Sequence, residues 1–458
     1  MLNHLDPASA LAFALLVFAL IMVIMFEATN GFHDAANAVA TVIYTKSLQP
    51  GQAILLSGVL NFAGVMVGGI AVAYALVELL PADVLSPPDG GPAVAMLLSL
   101  FIAALFWNIG TWWLALPNSS SHCLIGSLIG VALGNAFAQS RSVREGVHWA
   151  AVLKVLEGLA LSPLLGFILA GTLFYICSKT LRDENLYKPA TDRPPVWWMR
   201  AILILTCSGV SFAHGSNDGQ KSIGLIMLTI IGLFPATFAL NPQSNTSPPQ
   251  LASVMQRAAP LVQSFGDDRK SQALARIRSI QAGQQSKPPS DAGHRSILRD
   301  DVYQVIAQLE HVQEIKAASA DEKKDAKAIE KELGNSVEYA PVWVRLLSAI
   351  CLGVGTMFGY KRIVTTLGER LGSVHLTPAQ GASAELVSAA LIGTAGFTGL
   401  PVSTTHIVTS GIAGTMVAHG AALKYQIVSR IVLAWVLTLP VTILIAGVLY
   451  YVLASPKL

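Results

Sequence analysis

Two carboxylates, Asp34 and Asp218, sit in stretches with almost no other charge. A charged side chain at membrane depth costs about 2.5–3.5 kcal/mol on insertion scales, so one retained there is read first as functional. Asn37 and Asn217 stand beside them. Together with the carbonyls of broken helices, these amides would supply neutral oxygens suited to a hard cation or a proton. The bland alternative is that each Asp caps a helix N-terminus. Two runs of hydroxyls, Ser119, Ser120, Ser121 and Ser403, Thr404, Thr405, each lie just after a Leu-Pro pair and just before a short apolar segment. Such a run marks a helix N-terminus, where free N–H groups and the positive dipole end favour an anion. Hydroxyl donors would hold that anion without a permanent charge, so it could leave again. Ordinary capping would also explain either run alone.

His122 and His406 end the hydroxyl runs, and His33 and His214 flank the aspartates. Each could donate to an anion, relay a proton, ligate a metal, or simply pack. Lys221 follows Asp218 by one helical turn and could pair with it or touch the anion; its first-half counterpart is Asn37. Glu27, Glu157 and Glu385 also fall in apolar segments and could carry a proton or serve as structural hydrogen-bond partners. Glu27 and Glu385 rank above Glu157 because they lie near the motifs, and Glu78 falls at an expected membrane edge. The tryptophans mostly flank apolar stretches and read as interface anchors.

These residues recur in a pattern. NGFHDAAN (30–37) and HGSNDGQK (214–221) both place Gly, at 31 and 215, three residues before Asp. LPNSSSH (116–122) returns as LPVSTTH (400–406), and Gly130 and Gly414 follow at equal distance. The first pair is offset by 184 residues and the second by 284. The difference of 100 matches a polar stretch at 241–340, which holds 13 Lys and Arg with 13 Asp and Glu, nearly half of all charges in the chain. Removing that stretch brings both motifs into one register. The chain therefore reads as two related halves, and paired polar interruptions in duplicated halves point to a secondary transporter. Polar groups at membrane depth are tolerated where they line a cavity or are buried in protein.

The elements that must position these residues follow from composition. Of 458 residues, 53% are hydrophobic and 12% charged, against about 25% charged in a soluble domain. The mean hydropathy is +0.56. A cytosolic enzyme is excluded on this basis, and a net charge of +3 gives no reason to expect nucleic acid. Four scattered cysteines, with no CxxC pair, support neither a disulfide frame nor a zinc site. The apolar stretch 8–26 has no preceding Lys or Arg and runs straight into Glu27, so it reads as a retained first span. The expected fold is an all-α integral membrane protein with 10–12 transmembrane helices in two inverted repeats, lying in the lipid bilayer, with a soluble cytoplasmic insert. Segments 35–45, 122–138 and 406–419 read as half-helices or re-entrant segments. The divisions are a first membrane repeat (1–177), a basic cytoplasmic linker (178–197), the start of the second repeat (198–240), a polar insert without a dense apolar core (241–338), and the remainder (339–458).

The tracts GFHDAANAVAT and HGSNDGQKSIG, with LPNSSSH and LPVSTTH, closely resemble the inorganic phosphate transporter (Pit/PiT) family over roughly 9–240 and 336–454. NGFHDAANAVATVIYT and EYAPVWV look most like bacterial low-affinity members. The resemblance implies phosphate uptake coupled to an ion gradient, a homodimer, and a bacterial inner-membrane location. Carried over, the essential aspartates fall on Asp34 and Asp218, which could also ligate a metal. The anion-binding hydroxyls fall on Ser119, Ser120, Ser121, Ser403, Thr404 and Thr405. Asn37, Asn217 and Glu385 would assist cation or proton coupling, and His122, His406, His214, Lys221, Gly31 and Gly215 would support the site. Bacterial members are similar in using H+ and in carrying phosphate as a neutral complex with a divalent metal such as Mg2+ or Ca2+. Sodium-coupled relatives often show FExxG where this chain has LNFAG, with Asn61 in place of the acid, which favours protons over Na+. Glu385 keeps the acid of an SxEL-type stretch seen in sodium-coupled relatives, so the coupling ion stays open.

Three other readings remain: a carrier of another tetrahedral oxyanion such as sulfate or arsenate, a phosphate sensor signalling through the insert, and an intramembrane enzyme. The sequence holds no HExxH or GxSxG motif, and a sensor would need an apolar-cored insert.

Overall fold

Long runs of Leu, Ile, Val and Ala that are apolar on every face form helices whose backbone groups satisfy one another, the one solution open to a lipid-buried chain besides a closed barrel. The computed structural model describes residues 10–454 except 78, 81–83, 85–93, 148, 190–193, 234–237, 243, 245–247, 268–269 and 282–291. Glu78 lies outside the described residues. The first half supplies α1 (Ala10–Tyr44), α2 (Pro50–Val67), α3 (Ala71–Val77), α4 (Val94–Trp113), α5 (Ser120–Ala138) and α6 (Trp149–Thr180). After it come α7 (Trp197–Leu233), the insert helices α8 (Pro248–Phe265), α9 (Lys270–Gln281), α10 (Ala292–Glu314) and α11 (Ala320–Val337), and then α12 (Val342–Gly355), α13 (Pro378–Thr398), α14 (Thr404–Ala418) and α15 (Tyr425–Ala454). The one β feature among the described residues is an isolated bridge between Gly372 and Leu423.

Among the described residues, six helices are long and apolar enough to cross a membrane, in α1, α2, α4, α5, α6 and α15, or seven if α12 is taken with α11, from which it bends by 83°. This is fewer than the ten to twelve expected. The shortfall lies in α7 and α13, whose hydropathy is diluted by polar and small residues, and in α14, which has only 15 residues. All three pack into the same bundle, with α7 against α2 and α13, and α14 against α6.

Two of the three segments expected as half-helices form separate helices, α5 and α14, and α5 is itself long enough to span. Gly126, Gly130 and Gly134 of α5 lie against Leu439, Ile443 and Gly447 of α15, so α5 runs parallel to the second half of that helix. In the same way Ile407 and Gly414 of α14 lie against Gly166 and Gly171 of α6. Both short helices therefore begin beside the middle of a long helix from the other half. The third segment differs. Residues 35–45 are the end of an unbroken α1, and α7 likewise runs without interruption through HGSNDGQK. Asp34 and Asp218 are thus neither caps nor neighbours of broken-helix carbonyls.

The insert also departs from expectation. Val302, Val305, Ile306, Leu309 and Val312 of α10 recur at helical spacing and pack with Met255, Val262, Ile277 and Leu333 into a separate hydrophobic cluster. Amphipathic periodicity supplies this core where mean hydropathy is too low to signal it. Tyr74 of α3 donates to the Tyr339 carbonyl at 2.8 Å, and Lys154 at the start of α6 pairs with Glu314 at 3.6 Å.

Those contacts decide sidedness. The insert meets the start of α6, whereas the loop at 181–196 leaves from its end, and 32 residues of helix span about 48 Å. The 37 residues of α7 span about 55 Å in a single pass, from the 181–196 loop to the insert. Linker and insert therefore lie at opposite ends of the bundle.

Candidate functional site

Helical spacing puts Asn30, Asp34, Asn37 and Thr41 on one face of α1, and His214, Asp218 and Lys221 on one face of α7. The N-termini of α5 and α14 close the space between these faces. Every one of these side chains is buried.

Both hydroxyl runs divide their labour. Ser119 accepts from the His122 backbone N–H at 3.2 Å and Ser403 from that of His406 at 3.1 Å. These first residues are N-caps. The later residues turn into the site. Ser120 donates to Asp34 Oδ2 at 3.0 Å or to Asn30 Oδ1 at 2.6 Å. Thr405 donates to Asp34 Oδ1, and Asn37 Nδ2 donates to Thr405 Oγ1 at 3.0 Å. In the other half, Lys221 Nζ donates to Asp218 Oδ1 at 2.6 Å, to Ser121 Oγ at 2.5 Å and to the Val402 carbonyl at 3.0 Å. Thr404 is buried in the same helix end.

The two groupings are the same repeat positions. Asn37, Asp34 and Thr405 correspond to Lys221, Asp218 and Ser121, and in each a hydroxyl from one half meets the carboxylate face of the other. The amide of the first group is an ammonium in the second. Asp218 is thereby neutralised by its own helix, while Asp34 has only neutral donors and a histidine.

That histidine is His214. Asn61 Nδ2 donates to the Ser57 carbonyl at 3.0 Å, which turns Asn61 Oδ1 toward His214 Nδ1 at 2.6 Å. The hydrogen-bond pattern therefore assigns a hydrogen to Nδ1. Nε2 faces Asp218 Oδ2 at 3.4 Å and Asp34 Oδ2 at 3.7 Å. Asp34, His214 and Asp218 each offer a ligand atom, all within 4.8 Å of one another. Two carboxylate oxygens and an imidazole nitrogen suit a divalent cation. Asp218 Oδ2, His214 Nε2 and Asn37 Oδ1 are buried without a hydrogen-bond partner, a cost that native structures carry where a ligand or ion completes the set.

Other expected residues lie apart. Asn217 turns toward α13 beside Gly396, both its amide atoms without hydrogen-bond partners. Glu385 of α13 accepts from Thr206 at 2.6 Å and from Thr41, two turns beyond Asp34. His33 contacts the Asn108 carbonyl at 2.9 Å, away from the cluster. His122 and His406 pack ring to ring with centroids 4.4 Å apart, and His406 stacks on Trp435 at 3.9 Å. His33 Nδ1 and His406 Nε2 are buried without a hydrogen-bond partner. Trp435 and Trp107 are internal partners as well, donating to the Pro117 carbonyl and to Thr438. Glu157 is exposed on the outside of α6. Gly31 and Gly215 support the site sterically. A Cβ at Gly31 would lie 2.6 Å from the Leu352 carbonyl oxygen, and one at Gly215 would lie 2.2 Å from that of Asn61. Sequence reasoning missed Asn30, Thr41, Thr206 and Ser222. Asn30 carried a signal, since its repeat counterpart is His214.

A model described as the phosphate transporter family matches residues 30–446. The chain is 38% identical to the low-affinity inorganic phosphate transporter PitA of Escherichia coli K12, covering 95% of this chain and 96% of that protein. It is 36% identical to PitB of the same strain, covering 96% of each. A solved structure titled the sodium-dependent phosphate transporter superposes with a TM-score of 0.53 at 20% identity, over 96% of this chain and 99% of that one, and supports the fold alone. With the duplicated motifs converging on one buried cluster and the match spanning nearly its whole length, the chain belongs to the phosphate transporter family.

Proposed function

We propose that this multi-pass inner-membrane transporter imports inorganic phosphate as a neutral complex with a divalent cation, in symport with protons. The single observation that carries the reading is the crosswise meeting of Ser120 and Thr405 on Asp34, beside His214 and Asp218. In this arrangement the hydroxyls spend their hydrogens on a carboxylate. A divalent cation taken by Asp34, His214 and Asp218 would occupy the carboxylate oxygens and free those hydroxyls to turn to phosphate oxygens. The N–H groups at the starts of α5 and α14 add further donors. Phosphate thus binds well only with its cation. The pairing also removes the opposition of the membrane potential to a dianion, about 2.3 kcal/mol per charge per 100 mV.

We read the two halves as inverted repeats. Support comes from α5 and α14, which start at the centre and run alongside α15 and α6 toward opposite ends. Asn61 at the LNFAG position supports protons over sodium, because it offers His214 an amide oxygen where sodium-coupled relatives often show an acid.

The test is radiolabelled phosphate uptake in cells lacking their own phosphate carriers. Uptake should collapse with a protonophore or a divalent chelator and ignore replacement of sodium. Uptake that follows sodium, or that survives chelation, would overturn the coupling reading while leaving phosphate transport in place.

A further inference from the structure

Among the described buried carboxylates of the bundle, Glu27 alone is left without a defined task. Asp34 takes donors from Ser120, Thr405 and Asn37; Asp218 is paired with Lys221; Glu385 has a threonine on each oxygen. Glu27 is 1% exposed. Its Oε2 accepts from Ser222, one turn beyond Asp218 on α7, while its Oε1 is buried without a hydrogen-bond partner. Glu27, Asn30 and Asp34 share one face of α1, and Asn30 accepts from the same Ser120 hydroxyl that reaches Asp34. A polar path therefore runs from Glu27 through Asn30 and Ser120 to the cation-binding carboxylate, and a second runs through Ser222 to Asp218. The ionisable groups facing Glu27 are Asp218 and His214 from α7 and Cys351 from α12. Among the described residues, no ion pair joins any of them to its bare oxygen.

We propose that Glu27 is the proton-binding residue of the transport cycle. The proton comes from water on the entry side, forms an O–H bond at Oε1, and is released to water on the opposite side, the carboxyl alternating between neutral and ionised forms. A carboxyl that carries its hydrogen at Oε1 and accepts from Ser222 at Oε2 buries no charge and so needs no counter-ion. An ionised one with a bare, buried oxygen is not. Placement one polar layer away from Asp34 and Asp218 lets the proton be counted with the cation and phosphate without competing for their ligands. The inference rests on the proton coupling proposed above.

The test uses purified full-length protein in liposomes, with phosphate and Mg2+ on both sides. Two rates are measured: phosphate–phosphate exchange at equal concentrations, and accumulation driven by an imposed pH gradient. Glu27→Gln should keep exchange within about twofold of the parent protein, lose at least about tenfold in driven accumulation, and flatten the dependence of exchange on pH. Glu27→Asp should restore part of the accumulation. Parent-level accumulation by Glu27→Gln would overturn the assignment while leaving proton coupling intact. A parent protein driven by sodium and indifferent to the pH gradient would overturn the coupling reading and this inference with it. Loss of both rates in a variant with an unchanged melting temperature would make Glu27 part of the substrate path and also overturn it. If Glu27→Gln does not fold, Ser222→Ala takes its place. Removing the donor to Oε2 should move the pH midpoint of exchange by about half a pH unit or more, and an unmoved midpoint counts against the proposal.

Discussion

Asn37 and Thr405 meet across the bundle at 3.0 Å although 368 residues separate them. The amide hydrogen of Asn37 occupies a lone pair of the threonine oxygen, which aims the threonine hydrogen at Asp34. In the repeat-equivalent place Lys221 meets Ser121, and the lysine also holds Asp218. One substitution between halves, amide for ammonium, thus makes a nearly symmetric site electrically unequal. The Asp34 side is left to attract a cation and the Asp218 side is already compensated.

That asymmetry makes a prediction for Lys221→Asn, which gives the second half the chemistry of the first. Removing one partner of a buried ion pair costs about 3–5 kcal/mol, since the remaining charge is stranded. The melting temperature of the solubilised protein should fall markedly, and phosphate uptake should be lost. Adding Asp218→Asn removes the stranded charge, so stability should return while uptake does not. A double variant no more stable than Lys221→Asn alone would mean that the pair is not what holds the two helices in register.

The hydroxyl runs should separate by position. Ser119→Ala and Ser403→Ala remove N-caps and should cost about 0.5–2 kcal/mol in stability, with phosphate KM little changed in protein that remains folded. Ser120→Ala and Thr405→Val remove donors that face Asp34 and should raise the KM for phosphate by about tenfold or more, with a smaller effect on melting. Uptake kinetics and thermal melts of the four variants check this, and equal KM effects at all four positions would contradict the division.

Much of this site could be read from the sequence because its information is local. The Gly-to-Asp spacing, the hydroxyl runs and their common register after removal of the insert needed no contacts to see. The unbroken course of α1 and α7 was not legible, since Asn, Gly and Asp together predict an interruption. Tertiary packing overrides that preference. Gly31 and Gly215 let α12 and α2 come within backbone contact, and partners across the bundle satisfy most of the polar side chains. The task of Asn61 was equally hidden, because its contact with His214 exists only once α2 lies on α7. The core of the insert escaped notice for a different reason: its apolar residues are few but periodic, and composition averages them away.

The single pass of α7 carries a sidedness prediction. Lys188 lies in the loop after α6, and Lys324 lies on α11 of the insert. Single reporter cysteines at these two positions, in a background cleared of the four native cysteines, should react with a membrane-impermeant maleimide from opposite faces of the membrane. Labelling of both from the same face would require α7 to cross twice, which 37 continuous helical residues cannot do.

The seam between insert and bundle should be sensitive to pH. Glu310 on α10 is pushed up to about 7 by burial, reinforced by the charge of Glu330. Glu338, just after α11, is likewise pushed up to about 7 by burial, with Arg299 opposing and Glu310 and Glu330 adding to the rise. Both groups bind protons more tightly in the folded chain than in the unfolded one, where their ordinary value is 4.5. Their stabilising contribution is therefore complete below about pH 4.5 and is lost as pH rises toward 7, after which the loss levels off. Over that window either group taken alone corresponds to roughly 3 kcal/mol of insert stability, and the two together to less than twice that because the Glu310 charge is part of what raises Glu338. Glu310→Gln with Glu338→Gln removes both titrations, so the variant should melt at a nearly constant temperature where the parent declines. Parallel declines in melts taken from pH 4.5 to 8 would show that these two glutamates do not control the seam.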